Sequence, residues 1–101
     1  MNTGLELARQ VISEGRNRIS LREARLNCRK ELKEAAEIAG VTERTMKKWE
    51  MDCGGTDMFL FNKLCKAYQI SPTHVYAGKE SDLLEARAEF YRKEVMEHVV
   101  G

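Results

Sequence analysis

Residues 35–50 read Ala-Ala-Glu-Ile-Ala-Gly-Val-Thr-Glu-Arg-Thr-Met-Lys-Lys-Trp-Glu, from Ala35 to Glu50. With Leu32, the alanines at 35, 36 and 39 recur at helical spacing. The run stops at Gly40, the residue type that enters the left-handed region without a Cβ clash. Val41 follows as an apolar plug expected to be buried, and Thr42 can cap a new helix by accepting a backbone N–H on its hydroxyl. In that second helix Met46 and Trp49 stand three apart and share one face, while Glu43, Arg44, Lys47 and Lys48 fall on the other. The small Ala36 would let the two helices cross closely.

An alanine-rich helix, a glycine turn and a short basic helix backed by two large apolar side chains spell a helix-turn-helix, whose second helix would enter a DNA major groove. The wider stretch from Leu21 to Gly78, 58 of the 101 residues, resembles the Cro/CI-type (lambda-repressor-like, or XRE) helix-turn-helix family. Leu21-Arg22-Glu23-Ala24-Arg25 is similar to that family's first helix, and Ala36, Gly40, Val41, Met46 and Glu50 stand at the spacing of its core signature. Leu64-Cys65-Lys66-Ala67-Tyr68-Gln69-Ile70-Ser71 resembles the segment joining its last two helices, and Val75-Tyr76-Ala77-Gly78 its usual end. The resemblance implies an all-α fold with a five-helix lambda-repressor-like domain over residues 19–78; beyond the match, caps and apolar stripes suggest a short helical N-terminal extension over 1–18 and a long extra C-terminal helix over 79–101. It also implies a partly buried ion pair between Arg25 and Glu50.

Composition is compatible with this. A chain of 101 residues makes one domain with one modest core, and 43% apolar, 33% charged and one proline suit a helical protein. No run approaches the ~18 apolar residues of a membrane span, and no basic leader with an apolar core marks secretion. Cys28, Cys53 and Cys65 are odd in number and lack C-x-x-C spacing, so a reduced cytoplasm, that of a bacterial cell, is the expected setting. The net charge of +1 is unevenly spread. Residues 16–50 hold ten Lys/Arg against six Asp/Glu, a local +4, whereas residues 51–101 carry −2 and residues 1–15 carry −1. The basic excess sits where the motif sits.

Thr42 to Asp52 is the recognition helix by position. Arg44 is the expected base reader, because guanidinium matches the O6/N7 pair of guanine bidentately. Lys48, one turn on, could read guanine or hold a phosphate, and Lys47 is expected to meet the backbone. Glu43 could accept from a cytosine amino group, and the hydroxyls of Thr42 and Thr45 could donate to phosphate. A helix over 28–39 would bring Arg29, Lys30 and Lys33 near the duplex backbone, with Arg29 and Lys33 the expected contacts. The loop Met51-Asp52-Cys53-Gly54-Gly55-Thr56-Asp57 lacks the basic residues that family members tend to have there. The bare amides of Gly54 and Gly55 could approach phosphate in their place.

The remaining elements follow from caps and stripes. Thr3 with Glu6 reads as a capping box for a helix carrying Leu7, Ala8, Val11 and Ile12, and Arg16-Asn17-Arg18 could reach a phosphate. Ser20 with Glu23 reads as a second capping box, ahead of core residues Leu21, Ala24 and Leu26. Thr56 or Asp57 is the expected cap of a helix burying Leu60, Phe61, Leu64, Ala67 and Tyr68, and Ser71-Pro72 opens a short fifth helix. After a cap at Ser81 or Asp82, a last helix repeats Leu84, Ala88, Tyr91, Val95 and Val99, widened by Phe90 and Met96. This stripe either packs within the chain or pairs with a second copy, and pairing is the favoured expectation, because one domain reads too few base pairs alone.

The expected function is that of a sequence-specific DNA-binding transcriptional regulator, a phage or bacterial repressor that binds a twofold site on double-stranded DNA as a homodimer. The alternative on the same fold is a protein-interaction module, antitoxin-like or antirepressor-like, holding a partner protein through its last helix. No enzymatic role is expected: the chain has no paired carboxylates in a likely cleft, no nucleophile with a histidine at hand and no phosphate-binding glycine loop. No cofactor and no metal site are expected, since His74 lacks the partner histidines or cysteines that would complete one.

Overall fold

Side-chain caps at Ser20, Thr42 and Asp57 open three of the helices. The computed structural model describes residues 4–13 and 18–100, and these are all-α. Six α-helices occur among the described residues: α1 Gly4–Ser13, α2 Leu21–Asn27, α3 Leu32–Ala39, α4 Glu43–Met51, α5 Met58–Ala67 and α6 Glu80–Val100. Two 3-10 turns lie at Cys53–Gly55 and Pro72–His74, so the expected fifth helix is one turn, opened by Ser71 and Pro72. The expected cap Thr3 and the pair Arg16-Asn17 lie outside the described residues, as do the side chains of Val11, Ile12 and Val99.

Ser20 opens α2 with its hydroxyl oxygen accepting from the Glu23 amide at 3.0 Å, while the Glu23 carboxylate accepts from the Ser20 amide at 2.9 Å. Leu21 and Ala24 face inward together with Arg25, whereas Leu26 is 46% exposed and leaves the expected core. The reason is angular: Leu21, Ala24 and Arg25 already fill the inward i, i+3, i+4 positions.

α3 starts at Leu32, four residues later than the spacing suggests. The chain turns before it because Arg29 adopts φ 55, and the Lys30 amide returns to the Arg25 carbonyl at 3.2 Å. At its far end Gly40 adopts φ 71, and the Val41 amide reaches the Ala36 carbonyl at 3.0 Å, a closed Schellman terminus. Val41 itself is only half-buried. Asp57, not Thr56, caps α5 through the Leu60 amide at 3.1 Å. Phe61, Leu64, Cys65 and Tyr68 make the buried side of α5, with Leu60 and Ala67 at its half-buried margins.

The helices enclose two apolar clusters. The larger joins Leu21, Ala24, Ala35, Ala36, Ala39, Met46, Leu64 and Val75, among others, with Trp49 packed half-buried against it. Alanines at 35, 36 and 39 keep α3 narrow where α4 and α5 lie against it. Burial pushes the thiols of Cys53 and Cys65 up to about 11, which makes them packing groups rather than nucleophiles. The smaller cluster joins Ala8, Tyr76, Leu83 and Ala86, with Leu5 beside them. It forms where α1 lies along α6, and the Tyr76 hydroxyl donates to the Gly4 carbonyl there.

α6 begins at Glu80 rather than after a cap at Ser81 or Asp82. Its start is held from outside, since the Ser20 hydroxyl donates to the Glu80 carboxylate and Lys79 forms an isolated antiparallel bridge with Asp52. Arg87 then donates to both oxygens of the Glu23 carboxylate, at 2.9 and 2.8 Å, and to the Arg18 carbonyl at 2.7 Å. Burial opposes the charge on Glu23, but its bonds from Arg87 and from the Ser20 amide prevail and hold its carboxyl below the ordinary value of 4.5. Because the folded value is the lower one, this contribution is complete above 4.5 and is lost as pH falls through the folded value. Acid unfolding of Glu23→Gln should therefore show a shallower loss of stability below pH 4.5 than the parent, checked by urea titration across that range.

Candidate nucleic-acid interface

The division of α4 into an inner and an outer side is set by three residues. Met46 is fully buried, Glu50 is 5% exposed and Trp49 is half-buried. At 100° per residue this turns Arg44, Lys48 and Met51 directly outward, with Lys47 beside them. Arg44, Lys47 and Lys48 are exposed, and none forms a salt bridge among the described residues. Three cations thus stand on one side of a nine-residue helix whose opposite side is core.

Glu50 would leave a negative charge beneath this surface were it not paired. The Arg25 guanidinium takes it in a fork, with Nε to Oε2 at 2.6 Å and Nη2 to Oε1 at 3.1 Å. The third arm of the same guanidinium donates from Nη1 to the Lys30 carbonyl at 2.8 Å. The Glu50 bond raises the Arg25 pKa further above its ordinary value, outweighing burial, so the guanidinium keeps its charge. The pair that the family resemblance implied is therefore present, and it fixes the end of α4 against α2.

The start of α4 carries a short hydroxyl relay. Thr42 accepts from the Thr45 amide at 3.1 Å, and its own hydroxyl donates to Thr45 Oγ1 at 3.1 Å. The Thr42 proton is thereby used within the helix cap, and Thr45 keeps a hydroxyl hydrogen for an outside acceptor. Glu43 is exposed in the first turn, where it favours the helix N-terminus electrostatically.

Arg29 and Lys33 are exposed on either side of the α3 start. That start is itself acidic: the Glu31 amide donates to the Glu34 carboxylate at 3.2 Å. Cations there must come from Arg29 and Lys33, because the helix end offers carboxylates rather than open amides. Arg18 is engaged elsewhere, with its Nε donating to the Thr73 carbonyl at 3.1 Å.

The loop after α4 corrects one expectation. The Gly54 amide donates to Asp52 Oδ1 at 3.0 Å, so it is not available to phosphate. Only Gly55, exposed and with open space around its α-carbon, keeps the approach expected of the pair. The same hydrogen bond gives the Asp52 carboxylate a local donor.

Two exposed apolar side chains were not among the expected site residues. Met51 is 66% exposed on the outward row of α4, and Phe59, 74% exposed, lies in the first turn of α5 just beyond the loop. Met51 stands three residues after Lys48 and seven after Arg44, and that spacing carries the signal for its placement.

No family model matches the chain, and neither a curated protein nor a solved structure is found to be similar to it.

Proposed function

We propose that the chain is a helix-turn-helix transcriptional regulator of the Cro/CI-like type, a phage or bacterial repressor that binds a twofold site on double-stranded DNA as a homodimer. One observation carries this reading: Arg44, Lys47 and Lys48 project, without salt-bridge partners among the described residues, from a helix whose other side is locked by Met46 and the Arg25–Glu50 fork. α3 and α4, separated by Gly40, Val41 and Thr42, are the motif's two helices, and α4 is its reading helix. Arg44 reads guanine, and Lys48 extends the row to a second base or a phosphate. Met51 offers a methyl-sized contact to thymine at the end of that row. Lys47, Arg29, Lys33, the Thr45 hydroxyl and the Gly55 amide supply the sequence-blind grip on phosphate. Asp52, held by the Gly54 amide, adds less repulsion than a free carboxylate would.

Selection of bound sequences from a random duplex pool tests this directly, and the recovered site should have twofold symmetry. Binding to that site should weaken steeply with salt, with log K falling by about 0.9 per log unit of salt for each phosphate neutralised. A flat salt response, with no sequence enriched, would instead favour the protein-interaction alternative, for which the near-zero net charge and the acidic loop speak.

A further inference from the structure

α6 is apolar on two sides, and among the described residues only one of them is covered. Leu83 and Ala86 are buried against α1, whereas Leu84, Ala88, Tyr91 and Val95 are exposed on the other side of the helix. Leu84, Tyr91 and Val95 are 46%, 70% and 40% exposed. Their intervals of four, three and four residues are those of the seam in a two-helix coiled coil. We infer that this seam is closed by α6 of a second copy running antiparallel, with Leu84 against Val95 of the second copy and Ala88 against Tyr91.

Charge fixes the direction. The seam is flanked by Glu85 and Arg92 on one edge and by Arg87 and Glu94 on the other. In the antiparallel register Glu85 meets Arg92 of the second copy and Arg87 meets Glu94, and the twofold axis makes each pair occur twice. In a parallel pair the facing edges would bring Arg87 onto Arg92 and Glu80 onto Glu85, like charge on like charge. Glu85 and Arg92 carry most of the argument, because both are exposed, whereas Arg87 also holds Glu23. Size agrees with charge, since the small Ala88 lies opposite the large Tyr91.

The same register deepens the proposed function, on which this one step rests. The twofold axis falls between residues 89 and 90, so the two α6 starts lie roughly 28 Å apart along the helix, or about 30 Å allowing for the usual interaxial distance. The Asp52–Lys79 bridge ties the end of α4 to that start. Antiparallel pairing thus sets the two α6 starts, with the α4 end bridged to each, apart on the scale of the ~34 Å between successive major grooves on one side of a duplex. A parallel pair would leave the α6 starts about 9 Å apart.

Sedimentation equilibrium on the full chain tests the pairing. The parent should be a dimer, and Glu85→Arg or Arg92→Glu alone should weaken it by at least about tenfold, since each turns two attractive pairs repulsive. The double variant Glu85→Arg/Arg92→Glu should return to within about threefold of the parent, because opposite charges meet again. These are surface changes, whereas deleting α6 would also uncover Ala8 and Tyr76. A parent that stays monomeric at ~100 μM, near the weak end of specific association, would overturn the pairing and leave the seam to a different protein. Tighter association of Arg92→Glu would overturn the antiparallel direction in favour of the parallel one, and a double variant no better than the singles would overturn the register. Duplex binding by the same proteins keeps the two readings apart. A parent that dimerises but holds no duplex would remove the DNA reading alone, and a monomer that still grips a half-site would remove the pairing alone.

Discussion

Replacing Arg44 and Lys48 together by alanine should cost specific duplex binding at least a hundredfold in affinity and leave the melting temperature nearly unchanged. Each base-reading contact is worth about 1–3 kcal/mol, and a dimer would lose two from each half-site. Stability should move by no more than about 0.5 kcal/mol, since both side chains are exposed and neither is ion-paired among the described residues. Titration of the selected site by fluorescence anisotropy, with calorimetry on the same samples, checks both halves. A double variant that binds as well as the parent would end the DNA reading. Lys47→Ala should behave differently, weakening all duplexes alike and lowering the salt slope by about one per half-site.

Arg25→Ala should have the larger effect on stability, about 3 kcal/mol, because it leaves the Glu50 carboxylate buried without its fork. For a chain of this size that corresponds to a drop of roughly 12–24 °C in melting temperature. Part of the loss comes from the Lys30 carbonyl, which gives up its 2.8 Å donor where α2 turns toward α3. The informative control is Arg25→Met/Glu50→Leu. Replacing both charges by apolar groups removes the stranded carboxylate, so the double variant should be more stable than Arg25→Ala. If Arg25→Ala melts with the parent, the fork is not a structural tie.

What could be read from the sequence was local chemistry with an unambiguous signature. Thr42 as a cap, Gly40 as a left-handed terminus and Met46 as core each follow from side-chain properties that act within a few residues, and each stands so in the structure. The Arg25–Glu50 fork, 25 residues apart, was accessible only through resemblance to a family. The start of α3 is not legible in the sequence, because Arg29 takes a left-handed conformation without the glycine that would announce it. The start of α6 was misread because its anchor is the Ser20 hydroxyl, 60 residues away, rather than a residue of its own. Gly54 reads as an open amide in the sequence, because nothing in the composition tells whether the Asp52 carboxylate turns back upon the loop. The second apolar cluster is not legible in the sequence for a related reason. Leu83 and Ala86 become core only once α1 is laid beside α6, and the more regular stripe on the same helix is Leu84, Ala88, Tyr91 and Val95 on the other side.

The clasp between Tyr76 and Gly4 spans 72 residues, and Ala8 shares its buried cluster with positions 76, 83 and 86. During synthesis α1 must therefore wait, uncovered, until residues 76–86 have left the ribosome. Residues 21–75 already contain the larger cluster and can condense first, as local contacts close sooner than distant ones. α1 is made before its partners and seated after the centre has condensed, so a bulky insertion beside α1 would act on this later step and spare the centre.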